Sequence, residues 1–332
     1  MKLDTGKAFA FAWRNAYRVP EPLLRGVFRL VADVTWARHG SGVRRLEKNL
    51  GRVRPELDER ALRALSRAAM RSYMRYYKEA FKLPALTADQ IAARVRTVGA
   101  DAVRARIAEG RTPVLALGHQ GNWDLAGAWA TPNLAPVLTV AERLEPPELY
   151  EEFLRFRNSI GIEILALGDQ DVFRTLVRAV QGPGKLVPLL ADRDLGASGV
   201  EVDLFGHRAR VAAGPAALAV AGAPLFATNI YYERLRGARR AAAGSPWGIV
   251  LDFSPEVAVD RDLPRGEQVS ATTQAWVTAY ERALRTHPED WHMLQRVFVD
   301  DLDPDRDAAV RSGRAPEQSQ QTHPVPGSGG PE

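Results

Sequence analysis

From Thr97 onward the chain alternates short apolar runs with stretches of helical periodicity, and this alternation restricts it to layered α/β architectures. The runs at 113–118, 137–140, 162–167, 185–191, 200–205, 225–232 and 248–253 read as strands. Segments 148–159, 171–180, 214–220 and 267–285 read as helices. The expected fold class is therefore α/β, with a mainly parallel or mixed central sheet flanked by helices. Residues 9–83 read as helical, so a helical N-terminal region precedes the sheet. From Ala308 the sequence is rich in Pro, Gly, Ser and Gln without hydrophobic periodicity, the composition of a disordered tail. The expected organisation is a helical region at 1–83 within the same domain, an α/β core at 84–307 and a disordered tail at 308–332.

The first apolar run ends on His119-Gln120-Gly121-Asn122-Trp123-Asp124, and the stretch 125–130 after it can begin a helix capped by Asn122 or Asp124. This places His119 at the carboxyl end of a strand, where open α/β sheets present chemistry to ligands. An imidazole titrates near neutrality and can take a proton from a hydroxyl. Asp124 is a candidate acceptor for its other ring nitrogen, which would fix the tautomer. The same spacing suits a buried histidine beside a capping aspartate. Asp192-Arg193-Asp194 follows the run 185–191 and lies at a second strand end. These residues either join His119 at one mouth or close a local ion-paired turn. Glu201 and Asp203 alternate with Val200, Val202 and Leu204, so both acids share one strand face. Trp291 and His292 read as anchors of the last structured segment.

The absence of cysteine excludes a disulfide framework, thiolate zinc sites and a cysteine nucleophile. The six histidines show no metal-ligand spacing, so no metal is expected. There is no Gly-x-Ser-x-Gly elbow and no Gly-x-Gly-x-x-Gly fingerprint, and Gly182-Pro183-Gly184-Lys185 lacks the spacing of a phosphate loop. The formal charge is +5, and residues 1–54 alone hold twelve Lys/Arg against four Asp/Glu. A basic end of this kind suits anionic lipid, nucleic acid or plain solvent. Basic residues without an interleaved aromatic module argue against nucleic acid. Nothing at the start resembles a signal peptide. The stretch Leu23 to Trp36 is broken by Arg25, Arg29 and Asp33 and falls short of the roughly 20 apolar residues that span a bilayer. Leu24, Val27, Phe28, Val31 and Val34 recur there at helical spacing beside Arg25, Arg29 and Arg38. Such a face either lies on a membrane, with Phe28 and Val31 inserted and Arg25 and Arg29 at the headgroups, or packs on its own domain. A second stripe, Met70, Tyr73, Tyr77 and Phe81, suits a helix core or the wall of an acyl tunnel.

His119 and Asp124 match the His-x4-Asp motif of glycerolipid acyltransferases. The chain from about Phe9 to Asp303 resembles the bacterial lipid A late acyltransferase family, closest to its actinobacterial branch of phosphatidylinositol mannoside acyltransferases. Five further blocks carry the likeness in order: Arg71 to Phe81 (RSYMRYYKEAF), Phe156 to Gly161 (FRNSIG), Ala191 to Leu195 (ADRDL), Gly199 to Gly206 (GVEVDLFG) and Pro288 to Arg296 (PEDWHMLQR). The resemblance implies transfer of a long-chain acyl group, palmitoyl, from acyl-coenzyme A to a phosphatidylinositol mannoside. The implied acceptor is the 6-hydroxyl of the mannose on the inositol 2-position. It implies a peripheral enzyme on the cytoplasmic face of the cell membrane, in contact with anionic lipid and without cofactor or metal. His119 would be the base, oriented by Asp124 or Asp192, with Glu201 as the other acid able to fill the latter role. Arg157 would hold Asp124 or a phosphate, Gly121 and Asn122 would supply oxyanion donors, and Arg193 would contact substrate. Two other readings stand beside this one. The first is a lipid A-type or lysophospholipid acyltransferase fed by acyl carrier protein, and the second is a non-catalytic lipid-binding protein of the membrane surface.

Overall fold

The computed structural model describes residues 19–143, 147–169, 171–194 and 199–302. The expected tail at 308–332 and the first part of the helical region lie outside them. Five strands form the central sheet in the order β1 (Val95–Val98), β9 (Trp247–Glu256), β8 (Leu225–Arg234), β2 (Val114–Leu117) and β5 (Val187–Leu190). β2 runs parallel to both neighbours, with Leu117 opposite Leu190 on one side and Thr228 on the other. β9 is antiparallel to β8 and parallel to β1, so the sheet is mixed, with parallel pairing predominant. All four residues of β2 are buried, as a strand covered on both faces requires, which is why it reads as one continuous apolar run. A parallel pair, β3 (Val137–Ala141) and β4 (Ile162–Ala166), joins the β5 side through the Val137–Leu186 bridge. β6 (Val200–Leu204) and β7 (His207–Val211) form a hairpin. Phe205 and Gly206 turn it with positive φ of 57° and 78°, the requirement of a two-residue type I′ turn.

Every strand expected from the apolar runs is present. β1 and β7 were not expected, because Val95-Arg96-Thr97-Val98 and His207-Arg208-Ala209-Arg210-Val211 interleave arginines with apolar residues. The helices α4 (Ala88–Arg94), α5 (Ala100–Ala108), α6 (Trp123–Asn133), α7 (Pro147–Ser159), α8 (Val172–Gln181), α9 (Gly214–Val220), α10 (Gly237–Ala243) and α11 (Arg265–Leu284) complete the α/β part.

Among the described residues three helices precede it: α1 (Glu21–Arg38), α2 (Ser41–Val53) and α3 (Glu59–Lys82). Met70, Tyr73 and Tyr77 of α3 pack with Val43, Leu46 and Leu50 of α2, while Ala80 and Phe81 pack into the core beneath the sheet. The two parts therefore share one continuous interior. In α1 the expected face is corrected. Leu24 is buried and half-buried Phe28 meets Phe81 edge-on at 5.7 Å, so both face inward. The residues left outside are Leu23, Val27, Leu30, Val31 and Val34, with Leu23 and Leu30 more than half exposed at 61% and 64%. At 100° per residue, Arg25 and Arg29 fall on the far side of the helix from this stripe, whereas Arg38 borders it. No helix among the described residues is long and apolar enough to cross a membrane.

Candidate active site

β2 delivers the hexapeptide to the carboxyl edge of the sheet, and α6 begins four residues after His119. Two glycines make this turn possible. A Cβ at Gly118 would lie 1.8 Å from the Tyr280 hydroxyl oxygen and 2.9 Å from Asp192 Oδ2. Gly121 has φ +61°, and a Cβ there would meet the Ile230 carbonyl oxygen at 2.3 Å. Asn122 caps α6, its Oδ1 accepting from Leu125 N at 3.0 Å.

The acid on the His119 ring is Asp192, at the end of β5. Its Oδ1 lies 2.6 Å from Nδ1, and its Oδ2 accepts the His119 backbone N–H at 2.8 Å. Asp192 is 2% exposed, and burial alone would raise its pKa. The charge of His119, with hydrogen bonds from its ring, from Trp291 and from its backbone N–H, outweighs burial and holds the carboxyl below its ordinary range. The imidazole remains partly open, with 12% of the side chain exposed.

Asp124, the other half of the His-x4-Asp motif, serves a different group. Its Oδ1 accepts from Arg157 Nε at 2.9 Å and its Oδ2 from the Tyr76 hydroxyl at 2.8 Å. The expectation that Asp124 grips the imidazole is replaced by a buried Arg157–Asp124–Tyr76 assembly that fixes the start of α6 to α7 and α3. Burial and the adjacent Asp124 charge push the Tyr76 hydroxyl well above its ordinary pKa, so it stays a donor. Arg157 thus meets Asp124, as one of its two expected roles required.

Other expected residues lie elsewhere. Glu201 pairs with Arg208 and with Arg210, the latter at 2.9 Å, across the β6–β7 hairpin; the local charge pairs on that hairpin claim it, not His119. The Gly121 N–H donates to the Asp290 carbonyl at 2.9 Å and is committed to the fold. So is the Asn122 side chain, whose Nδ2 donates to Glu79 Oε2 at 2.9 Å. Neither is left to meet an oxyanion. Arg193, next to Asp192, is buried, with Nη2 3.4 Å from Glu142 and Nε unpartnered among the described residues.

A narrow cavity of about 70 Å³ runs between the sheet and α6. Its walls are apolar (Leu115, Leu117, Ala126, Ala130, Leu190 and Leu251), and Trp123, Asp124 and Arg157 bound it beside the motif. The acyl-tunnel candidates Met70, Tyr73 and Tyr77 are not among its walls. They belong to the helical core, where the Tyr73 and Tyr77 hydroxyls bond each other at 2.9 Å. The stripe on α3 is buried, with Met70, Tyr73 and Tyr77 against α2 and the C-terminal segment and Phe81 against Phe28 of α1.

The C-terminal segment closes over the motif. The His292 N–H donates to the His119 carbonyl at 2.7 Å, Gln120 bridges Trp291, and Trp291 Nε1 donates to Asp192 Oδ2 at 2.8 Å. Ser72, His292 and Asp290 also touch, but in the wrong order for a nucleophile. The serine hydroxyl donates to Asp290, and among the described residues no acid reaches His292 Nδ1. Burial and the nearby positive charge of Arg75 and His119 press the His292 pKa down to about 3, so the ring is neutral and no second base. His287, Glu289 and Asp290 bring three metal-type donors within 4.8 Å of one another. The Asp290 oxygens already accept from Ser72 and from Tyr232 N, and His287 stacks on Tyr231. Neither the Trp291 contact nor the α3 donor Tyr76 and acceptor Glu79 is an expectation of the sequence analysis. Only their presence in the blocks 71–81 and 288–296 hinted at them.

Sequence comparison agrees with the geometry. The profile of the bacterial lipid A biosynthesis acyltransferase family matches residues 5–299. The phosphatidylinositol mannoside acyltransferase of Mycolicibacterium smegmatis is 37% identical over 309 residues, covering 92% of this chain and 95% of the relative. That of Mycobacterium tuberculosis H37Rv is 38% identical over 313 residues, covering 93% of each.

Proposed function

The chain belongs to the bacterial lipid A biosynthesis acyltransferase family and is an acyltransferase, and on that premise we propose that it moves a palmitoyl group from acyl-coenzyme A to a mannose hydroxyl of a phosphatidylinositol mannoside. The observation that carries the chemistry is the 2.6 Å contact between His119 Nδ1 and buried Asp192. It holds the proton on Nδ1 and turns Nε2 into the acceptor. The mannose hydroxyl loses its proton to Nε2 as its oxygen bonds to the thioester carbonyl carbon. The tetrahedral intermediate then expels the coenzyme A sulfur, which recovers that proton from the imidazolium. No covalent enzyme intermediate is needed, and no cofactor enters the balance.

The first-turn N–H groups of α6, which have no intrahelical acceptor, are the oxyanion donors. With the Gly121 N–H and the Asn122 side chain committed to the fold, this task falls to the backbone N–H groups of Asn122, Trp123 and Asp124. The apolar cavity behind the motif seats the first few carbons of the acyl chain and must open further to take the rest. Each methylene buried there contributes roughly 0.8 kcal/mol. Arg193 and Arg157 are the guanidinium groups nearest the motif for a substrate phosphate. The acceptor reading draws on the names of the relatives, which are similar over nearly their whole length.

The acceptor resides in a bilayer, and the exposed stripe Leu23, Val27, Leu30 and Val34 on α1, bordered by Arg38, suits shallow insertion under anionic headgroups. The enzyme is accordingly read as peripheral, on the cytoplasmic face. The test is incubation with labelled palmitoyl-coenzyme A or palmitoyl-acyl carrier protein and a panel of mannosides, lysophospholipids and lipid A precursors, followed by mass spectrometry. Mannoside acylation from coenzyme A, reduced by at least roughly a hundredfold in His119→Ala, is the expected result. Product on another acceptor alone would overturn the acceptor reading. Near-normal turnover in the folded variant would overturn the base.

A further inference from the structure

Asp192 is not held by His119 alone. Its Oδ2 takes two donors, the His119 backbone N–H and the Trp291 indole N–H, each at 2.8 Å, while Oδ1 faces the imidazole. Trp291 is fully buried, packed in the core with Trp276, Tyr280 and Leu284 of α11. The backbone on either side of it is tied to the motif, by the Asp290 carbonyl to Gly121 N and by His292 N to the His119 carbonyl. Further along, Met293 and Gln295 offer their carbonyls to Asn49 Nδ2, each at 2.9 Å, which pins this strap to α2. A rigid strap with so many anchors leaves the indole little freedom to leave Asp192.

The geometry points to Trp291 as a positioning residue of the reaction, whose indole N–H fixes the Asp192 carboxylate and thereby sets the orientation and basicity of His119. A carboxylate with a spare lone pair could rotate, exchange oxygens between the ring and the backbone, and release the imidazole from its reactive tautomer. The indole donor removes that freedom. It also draws charge from the carboxylate, so the imidazolium is stabilised less than it would be by an unsatisfied acid. The other ionisable groups facing the pair do not oppose this. His292 is buried and neutral, the Tyr280 hydroxyl is held well above its ordinary pKa, and Arg193 points toward Glu142. The inference rests on the reading of His119 as base, but not on the identity of the acceptor.

Trp291→Phe keeps the buried ring and deletes the donor. The His119 ring pKa, followed by NMR of isotope-labelled histidine without any substrate, is expected to rise by about half a unit or more as the carboxylate regains its full charge. The turnover number should fall by about tenfold, the size of one hydrogen bond to a charged group, with KM for acyl-coenzyme A unchanged. A merely structural role would lower activity equally at every pH and leave the His119 titration where it was, and that result would overturn the inference. If the variant does not fold, the indole N–H resonances of the seven tryptophans in the unmodified chain decide. One of them must move with the His119 titration and shift upfield in Asp192→Asn; a set that ignores both would also overturn it. Absence of mannoside acylation by the unmodified enzyme would sink the acceptor reading and leave these spectra readable.

Discussion

Replacing Asp290 by asparagine isolates the cost of holding a carboxylate inside a closed network. Asp290 is 2% exposed and joins three parts of the protein: Ser72 of α3 donates to Oδ1, Tyr232 N of β8 donates to Oδ2, and its carbonyl accepts from Gly121. Burial pushes its pKa up from 3.8 to about 6 against the pull of Arg75 and the two donors, with Glu289 adding a little to the rise. The sign follows from which state ionises first. Below the ordinary value the carboxyl is protonated in both states and costs nothing. Between 3.8 and about 6 the unfolded chain ionises while the folded one does not, so stability falls as pH rises. Above about 6 the penalty is complete, at about 3 kcal/mol. It amounts to only about 1 kcal/mol at about pH 4.5. An amide at this position keeps an acceptor for Tyr232 N and places its NH2 toward the Ser72 oxygen, freeing that hydroxyl to turn to His292 Nε2. Thermal melts of Asp290→Asn and the unmodified protein should therefore differ more at about pH 7.5 than at about pH 4.5. The added difference of about 2 kcal/mol corresponds to roughly 3 °C in midpoint for a chain of this size. A constant offset from the lost carboxylate packing drops out of that comparison. Equal differences at the two pH values would refute the argument that ionised Asp290 is carried at a cost.

Glu79 accepts from Asn122 Nδ2 and the Tyr232 hydroxyl through one oxygen, while Oε1 is buried without a partner among the described residues. Glu79→Ala should cost roughly 1–3 kcal/mol for each donor it strands, whereas Glu79→Gln keeps an acceptor and should cost clearly less. Denaturant titrations giving equal losses for the two variants would contradict this. For the membrane face, Leu23→Ser with Leu30→Ser should reduce binding to anionic phospholipid vesicles at least about tenfold, since each leucine side chain contributes roughly 1.5–3 kcal/mol when buried. The melting midpoint should stay unchanged, because both side chains are exposed. Unaltered vesicle affinity in a sedimentation assay would exclude α1 as the docking element.

The sheet was legible because β2 is buried on both faces, and because apolar runs such as 114–117 and 187–190 have few other uses. β1 and β7 escaped because edge and hairpin strands keep arginines on the pleat, and a short alternating stretch of that kind carries little periodic signal. On α1, helical spacing identified an apolar surface but not its direction. Leu24 and Phe28 and the exposed pair Leu23 and Val27 fit one periodic pattern, and only the position of α3 assigns inside and outside. His119 was legible as a strand-end histidine. Its partner stayed open between two named acids, because spacing along the chain cannot tell Asp124, five residues away, from Asp192, brought back by the parallel pairing of β2 with β5. The motif aspartate looked like the third member of a catalytic set and is instead the anchor of a helix start.

That exchange of roles explains why the motif needs α3. Tyr76 donates to Asp124, Glu79 accepts from Asn122 and Ser72 donates to Asp290, so one face of one helix satisfies a polar group at each of three supports of the His119 turn. Each of these groups is buried, where an unmet hydrogen bond costs more than a surface ion pair returns. The opposite end of the same helical region carries the exposed stripe of α1, which packs on α3 through Phe28 and Phe81 and through the ion pairs of Asp33 with Arg67 and Arg71. Charge on Asp33 is strongly favoured there, since the two guanidinium donors hold its pKa far below the ordinary range. The helices that would meet the bilayer and the helix that braces His119's turn are thus one packed unit. On the function proposed above, this packing would hold His119 at a fixed distance from the α1 surface, so that a lipid acceptor could reach it with its tails still in a membrane.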